Sequence, residues 1–247
     1  MSFLLRWQDT LIFHPVAPNK LTYPMYADHE FVMASGGYRL QGWRFTNDAS
    51  TADKTILYFG GNAEDITLNF HSLGWLGARH FIFVNYRGYG GSEGSPSQKA
   101  FYKDALNIYD YLAQDPQFSA DKLIVVGRSL GSSVATYLSK QRAVAKVVLI
   151  TPFDRLATIA KKLFPFLPVR DWLLLHPFPS AEYAESIKSP MLMLVAANDE
   201  MIPTESSRHL YQSWLGEKHW QLLDGVGHND IQMHADYYEL IRDFVEE

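Results

Sequence analysis

A serine between two glycines is the residue of this chain best placed to act as a nucleophile. Ser129 stands in the run 127–131 (GRSLG), directly after the apolar, β-branched residues 123–126. The apolar run predicts a buried strand, and the small residues that follow predict a helix. A G-x-S-x-G pattern between a strand and a helix exposes the serine Oγ above a sheet, because glycines leave room for a sharply turned backbone.

A serine alcohol is a poor nucleophile near neutral pH and needs a positioned general base. Of the nine histidines, His228 is the best candidate, because it follows the predicted strand 218–223 and precedes the last helix. Its loop would share the carboxyl edge of the sheet with Ser129. A metal site formed by His228, Asp230 and His234 is the weaker interpretation, since their spacing gives no good chelate. We therefore expect no metal.

An imidazole base needs a carboxylate that holds its tautomer and stabilises the imidazolium. Asp199 follows the predicted strand 190–197 and is the favoured acid, while Asp154 is the rival because it also follows a strand end. The chain order Ser129, Asp199, His228 decides for Asp199, since a nucleophile elbow on a parallel sheet has its partners in this order. Chymotrypsin-like and subtilisin-like folds present the same groups in other orders.

A tetrahedral intermediate needs two backbone N–H donors for its negative charge. The N–H of Leu130, one residue past Ser129, is the first candidate. The second is the N–H of Asn62, in the loop 60–63 that two glycines open after a predicted strand. A plain glycine turn between strand and helix is the alternative role of that loop.

The elements that must position these groups alternate between strands and helices. The predicted strands are 31–34, 38–45, 55–59, 81–84, 123–126, 145–150, 190–197 and 218–223. The predicted helices cover about 64–75, a stretch from Ser95, the residues after Ser129, a stretch from Thr204 and a stretch from about Asp230. In the helix from Ser95, Pro96 takes the first position and Gln98 is placed for a capping box. Such alternation indicates an α/β fold with a mostly parallel, twisted sheet, helices on both faces and an antiparallel hairpin at one edge.

We expect one domain over residues 1–247, interrupted by the stretch 152–189. This stretch contains no convincing strand, is broken by five prolines and is rich in leucine and aromatic residues. Two interpretations stay open for it: a small helical or loop cap over Ser129, and ordinary packing against the edge of the sheet.

Composition and charge exclude several classes of site. A net charge of −5 argues against nucleic-acid binding, which needs a basic surface. With no cysteines, disulfides, thiolate zinc sites and cysteine nucleophiles are excluded, and a cytoplasmic location is expected. The glycine-rich stretch 88–94 fails as a dinucleotide motif because Glu93 occupies the third glycine position, so we expect no cofactor. The oligomeric state is left open.

The N-terminal segment carries apolar residues at helical spacing: Phe3, Leu4, Trp7 and Leu11. They predict a short amphipathic helix, and the polar residues at positions 6, 8 and 9 leave the apolar run too short for a membrane span. Docking on the domain is favoured because cationic residues are scarce near the helix. Weak peripheral contact with a bilayer is the alternative.

Six motifs in fixed order resemble those of the α/β-hydrolases of the bud-emergence type, a branch that is also similar to protein-depalmitoylating hydrolases. The motifs are 59–63 (FGGNA), 85–97 (NYRGYGGSEGSPS), 127–132 (GRSLGS), 151–154 (TPFD), 198–203 (NDEMIP) and 227–230 (GHND). The resemblance runs from about residue 11 to the C-terminus. It implies the α/β-hydrolase fold, with Ser129 as nucleophile, Asp199 as acid and His228 as base.

The sequence departs from that family at two positions and in its N-terminal segment. Gly60 stands where members often have histidine, and Ala196 where they often have glycine. The cysteine cluster that tethers the depalmitoylases to membranes is absent, which weakens a palmitoyl-protein substrate.

These residues together predict a serine hydrolase that cleaves carboxylic esters or thioesters with an apolar acyl part through an acyl-enzyme. The expected partner is a small-molecule acyl ester or thioester. An amidase or aminopeptidase-like activity stays open, because the three groups do not distinguish leaving groups. A non-catalytic interaction scaffold is the alternative from another class, since fold alone does not settle function.

Overall fold

The computed structural model describes residues 8–166 and 173–247. Within them, eight strands form one sheet in the order β1-β2-β4-β3-β5-β6-β7-β8. The strands are β1 Glu30–Ser35, β2 Tyr38–Thr46, β3 Thr55–Phe59, β4 His80–Val84, β5 Leu123–Arg128, β6 Lys146–Ile150, β7 Met191–Ala196 and β8 Lys218–Leu223. Only the two pairings made by β2 are antiparallel, so the predicted mostly parallel sheet with an antiparallel edge is confirmed.

Helices cover both faces of the sheet, as predicted. The α-helices are α1 Gln98–Leu112, α2 Leu130–Gln141, α3 Leu156–Leu163, α4 Ser180–Ala184, α5 Thr204–Ser213 and α6 Tyr237–Glu246, with shorter helical turns at residues 8–12 and Thr22–Met25. The 3₁₀ helices are Ala27–His29, Ile66–Trp75, Ala120–Lys122 and Ile231–Met233. One apolar core lies between the sheet and α1, α2 and α5, and a second lies between the sheet, Ile66–Trp75 and α6.

Three predicted helices differ from the structure in their start or in their type. Helix α1 begins at Gln98 and not at Ser95, because the Ser97 side chain caps it by accepting from the Ala100 N–H at 3.0 Å. The Gln98 side chain closes no capping box, since its oxygen accepts from the Phe178 N–H at 2.8 Å.

The other two differences concern helix type and start. Residues Ile66–Trp75 form a 3₁₀ helix and not an α-helix. The last α-helix begins at Tyr237 and not near Asp230, because the residues after Asp230 form the 3₁₀ helix Ile231–Met233 and His234 then adopts an extended backbone.

The described part of the stretch 152–189 contains α3 and α4 and no strand. Phe153 and Phe178 are buried in the core, whereas Phe166 is 97% exposed. The stretch therefore packs partly against the core and partly presents apolar side chains at the surface. Its interpretation as a cap stays a prediction.

The N-terminal segment packs against this stretch and against the core. Gln8 exchanges hydrogen bonds with the Leu173 carbonyl and the Leu175 N–H, Asp9 pairs with His176 at 2.7 Å, and Phe13 is buried. Phe3, Leu4 and Trp7 of the predicted amphipathic helix lie outside the described residues, and Leu11 is largely exposed. No helix of residues 8–166 and 173–247 is long and apolar enough to cross a membrane.

Candidate active site

Ser129 occupies a strained turn between β5 and α2. Its backbone has a φ of 50° and a ψ of −115°, a region that residues with a Cβ rarely adopt. The two glycines beside it make the turn sterically feasible. A Cβ on Gly127 would lie 2.3 Å from the Gly131 oxygen, and a Cβ on Gly131 would lie 2.1 Å from the Phe59 oxygen. The turn thus holds Ser129 at the carboxyl end of β5, half-buried.

His228 lies within hydrogen-bond distance of both predicted partners. Its Nε2 is 3.0 Å from Ser129 Oγ, and its Nδ1 is 2.8 Å from Asp199 Oδ2. The side chains of His228 and Asp199 are only 6% and 4% exposed. The carboxyl ends of β5, β7 and β8 therefore bring together an alcohol, an imidazole and a shielded carboxylate. This arrangement allows proton transfer from the alcohol to the imidazole.

The Asp199 carboxylate is oriented by its own loop. Its second oxygen accepts from the N–H groups of Met201 at 2.9 Å and Ile202 at 2.7 Å, which leaves Oδ2 for His228. These two bonds hold the carboxylate in one orientation relative to the imidazole.

The rival carboxylate, Asp154, is engaged elsewhere. One of its oxygens accepts from Ser206 Oγ at 2.6 Å, and the other is 3.0 Å from His209 Nδ1. The structure therefore brings Asp199, and not Asp154, to His228.

The two predicted oxyanion donors belong to Leu130, which follows Ser129 in the chain, and to Asn62, whose preceding residue lies close to Ser129. The Leu130 N–H opens α2 and has no carbonyl partner one turn earlier within that helix. Asn62 follows the carboxyl end of β3, and a Cβ on the neighbouring Gly61 would lie 3.6 Å from Ser129 Cβ. Among the described residues, the Asn62 N–H has no hydrogen-bond acceptor. The role of both amides as oxyanion donors stays a prediction.

Comparison of the sequence with known proteins identifies the family of this chain. Residues 59–185 match the model of the alpha/beta hydrolase family. The chain belongs to the alpha/beta hydrolase family. The uncharacterized protein Rv2307c of Mycobacterium tuberculosis is 32% identical over 94% of this chain and 84% of its own length.

Two solved structures share the alpha/beta hydrolase fold with this chain at low sequence identity. The Pyrococcus furiosus esterase Pf2001 superposes with a TM-score of 0.74 at 17% identity, over 95% of this chain and 98% of that one. The Pyrococcus horikoshii acylaminoacyl peptidase superposes with a TM-score of 0.68 at 17% identity, over 88% of this chain and 41% of that one. The predicted fold class is confirmed.

Three side chains of this alpha/beta hydrolase bind the loop 60–63, which carries the predicted oxyanion donor. The sequence predicted a role for none of them. The Tyr86 hydroxyl donates to the Gly60 carbonyl at 2.8 Å, and the Tyr89 hydroxyl donates to Asn62 Oδ1 at 2.7 Å. The Glu64 carboxylate accepts from the Gly61 N–H at 2.5 Å. The only sequence signal for the tyrosines was their place in the glycine-rich stretch after β4.

Arg128, the residue before the candidate nucleophile, ties the elbow to the histidine loop. Its guanidinium donates to the carbonyls of His228 at 3.4 Å and Asn229 at 3.2 Å. Burial opposes its positive charge, but the oxygens of Tyr58, Glu64 and Tyr237 outweigh burial and raise the pKa of Arg128 above its ordinary value. The arginine therefore stays charged.

Two cavities of the described residues have linings that do not include Ser129. One, of about 30 Å³, is lined by Arg128, Tyr58 and Tyr237 among others and has room for about one water molecule. The other, an open groove of about 440 Å³, is lined by residues of α1, α2 and α4 and by Leu175 and His176.

The weaker interpretation of His228, Asp230 and His234 as metal ligands finds no support in the described residues. Nowhere in the described ranges do three or more histidine, aspartate or glutamate side chains group as metal ligands. Instead, Asp230 accepts from the Gly227 N–H, and His234 Nδ1 accepts from the Asp236 N–H at 3.2 Å.

Proposed function

We propose that this alpha/beta hydrolase is a serine hydrolase that cleaves carboxylic esters or thioesters through an acyl-enzyme. The observation that carries the proposal is the position of His228. One ring nitrogen is 3.0 Å from Ser129 Oγ and the other is 2.8 Å from Asp199. These are the contacts that an imidazole needs in order to activate an alcohol.

In the proposed reaction, Ser129 Oγ attacks the acyl carbonyl while His228 Nε2 takes the hydroxyl proton. Asp199 holds the Nδ1–H tautomer and stabilises the imidazolium. The N–H groups of Asn62 and Leu130 donate to the oxyanion of the tetrahedral intermediate. His228 then protonates the leaving alcohol or thiol, and water hydrolyses the acyl-enzyme by the same steps.

An apolar acyl part is supported by the surface next to the acid loop. Lys162, near the end of α3, donates to the Asp199 carbonyl at 3.3 Å. The two following residues, Leu163 and Phe164, are 49% and 43% exposed. Apolar side chains thus lie beside the acid loop, where an acyl chain would lose contact with water on binding. Membership of the bud-emergence branch is part of this proposal and rests on the sequence motifs.

Labelling with a fluorophosphonate tests the nucleophile. We expect one adduct on the wild-type protein, because only an activated serine attacks the phosphorus rapidly. We expect none on Ser129→Ala. As a control, Ser186→Ala removes an exposed hydroxyl far from His228 in sequence and should label like the wild type. An unlabelled wild-type protein would mean that the fold serves as an interaction scaffold.

Turnover of two substrate series then tests the leaving group. p-Nitrophenyl esters of rising chain length should be hydrolysed faster than aminoacyl anilides. If the anilides turn over faster, the protein is an amidase and the ester assignment is wrong.

A further inference from the structure

Residues beyond the loop 60–63, which carries the Asn62 N–H, form hydrogen bonds with three successive residues of the loop. Tyr86 fixes the Gly60 carbonyl and Glu64 fixes the Gly61 N–H. Tyr89 donates to Asn62 Oδ1 at 2.7 Å, and the His14 N–H donates to the same oxygen at 3.0 Å. The other end of the Asn62 side chain donates to the Ile12 carbonyl at 2.6 Å.

These contacts restrain a loop that would otherwise be free to turn. Gly60 and Gly61 in succession allow many backbone conformations, because neither has a Cβ. Ala63 follows with a φ of 57°, a conformation that a residue with a Cβ holds only when its surroundings impose it. The direction of the Asn62 N–H thus depends on external partners more than on the loop itself.

The two tyrosines are themselves rigid. Tyr86 and Tyr89 are 7% and 2% exposed. The Tyr86 ring stacks on Phe101 of α1, with ring centroids 4.2 Å apart, and contacts the Tyr89 ring edge-on at 5.6 Å. Burial raises the pKa of both hydroxyls above the ordinary value, so both remain protonated donors.

We propose that Tyr86 and Tyr89 are positioning residues that aim the Asn62 N–H at the oxyanion of the tetrahedral intermediate. The inference rests on the proposed hydrolase function and deepens it. Each hydroxyl donates its proton to the loop, so the proposed role of both is to position the loop. A donor aimed in advance stabilises the charge that develops in the transition state and does little for the bound ground state. A loosened loop should therefore lower kcat and leave KM nearly unchanged.

The test removes each hydroxyl singly, in Tyr86→Phe and Tyr89→Phe. Tyr109→Phe is the matched control, because the Tyr109 hydroxyl donates to the Ala143 carbonyl at 2.9 Å and its residue is 8% exposed. Loss of a whole oxyanion donor lowers kcat by about 10²- to 10³-fold, so misaiming one should lower it by roughly tenfold. We expect that loss in both test variants, with KM within about twofold of wild type, and near wild-type kcat in Tyr109→Phe.

Amide hydrogen exchange of residues 60–63 supplies a readout that does not need activity. We expect faster exchange there in Tyr86→Phe and Tyr89→Phe, and unchanged exchange in Tyr109→Phe. If the wild type labels with fluorophosphonate but the three variants share one kcat, the positioning role is wrong while the hydrolase function stands. If the wild type does not label, the hydrolase function is wrong and the positioning role falls with it.

Discussion

Two histidine–aspartate pairs lie after strands of the parallel sheet, and they differ in their surroundings. In one, His228 Nδ1 is 2.8 Å from Asp199. In the other, His209 Nδ1 is 3.0 Å from Asp154. The two histidines differ in exposure, because the His228 side chain is 6% exposed and the His209 side chain is 51% exposed. His228 also contacts Ser129 Oγ through its second ring nitrogen. One pair therefore extends to the candidate nucleophile Ser129, whereas the other joins the residues after β6 to α5.

This difference gives a prediction at the scale of single residues. His228→Ala removes the proposed general base and should lower kcat/KM for a p-nitrophenyl ester by about 10²- to 10⁴-fold or more. His209→Ala removes an imidazole of the same kind and should leave kcat/KM within about twofold of wild type. Steady-state kinetics of the two variants measures both. Equal losses in the two would show that His228 is not the base.

At this scale, the residue types and their chain order were enough to predict which side chains meet. Each of Ser129, Asp199 and His228 follows a strand of a parallel sheet, and the carboxyl ends of parallel strands share one edge. The hydroxyls of Tyr86 and Tyr89 were not predictable, because a hydrogen bond to a loop 26 or 27 residues away leaves no periodic signal in the sequence.

Among the elements, the strands were predicted well and the helix ends poorly. Continuous apolar runs such as Met191–Ala196, buried at every residue, are the pattern of a strand covered on both faces. Helix ends depend on single hydrogen bonds, and Ser97 caps α1 where Ser95 offered an equally plausible cap. The 3₁₀ geometry of Ile66–Trp75 gives the same apolar pattern as an α-helix would.

Asp154 connects two elements, and its charge state should make their contact depend on pH. It lies after β6 and binds Ser206 and His209 of α5. Burial would raise the pKa of Asp154, but hydrogen bonds from Ser206, His209 and Thr158 outweigh burial and hold the pKa below its ordinary value of 3.8. The folded protein thus binds this proton less readily than the unfolded chain.

The resulting stabilisation is full above the unfolded-state pKa and is lost as pH falls through the lower folded-state pKa. Asp154→Asn should therefore lower the free energy of unfolding by about 1 to 3 kcal/mol near pH 7, and the difference should shrink below about pH 4. Urea unfolding at several pH values measures it. Asp48→Asn, at a carboxylate that is 84% exposed, serves as the control and should show no such trend. A difference that grows as pH falls would contradict the assignment.

On the scale of the whole molecule, the candidate site depends on how closely the first turn of α2 approaches the carboxyl end of β3. Gly131 permits this approach because it has no side chain. A Cβ there would lie 2.1 Å from the Phe59 oxygen and 2.6 Å from the Gly60 oxygen. The elbow and the oxyanion loop can therefore touch only if this position has no side chain.

Gly131→Ala should force the two loops apart. We expect a loss of about 1 to 3 kcal/mol in the free energy of unfolding, together with lost fluorophosphonate labelling, because the shift displaces both Ser129 and the loop 60–63. Gly74→Ala, where a Cβ would meet nothing within 4 Å, should change stability by less than about 0.5 kcal/mol. Thermal unfolding compares the two. A Gly131→Ala protein as stable and reactive as the wild type would contradict the close approach.

The bonds from the Asn62 side chain to Ile12 and His14 also bear on how the protein is handled. The segment just after Gln8 therefore supports the residue whose N–H is the proposed oxyanion donor, and a group attached ahead of Gln8 lies next to that support. An affinity tag or surface linker for this hydrolase therefore belongs at the opposite terminus, after the last turn of α6.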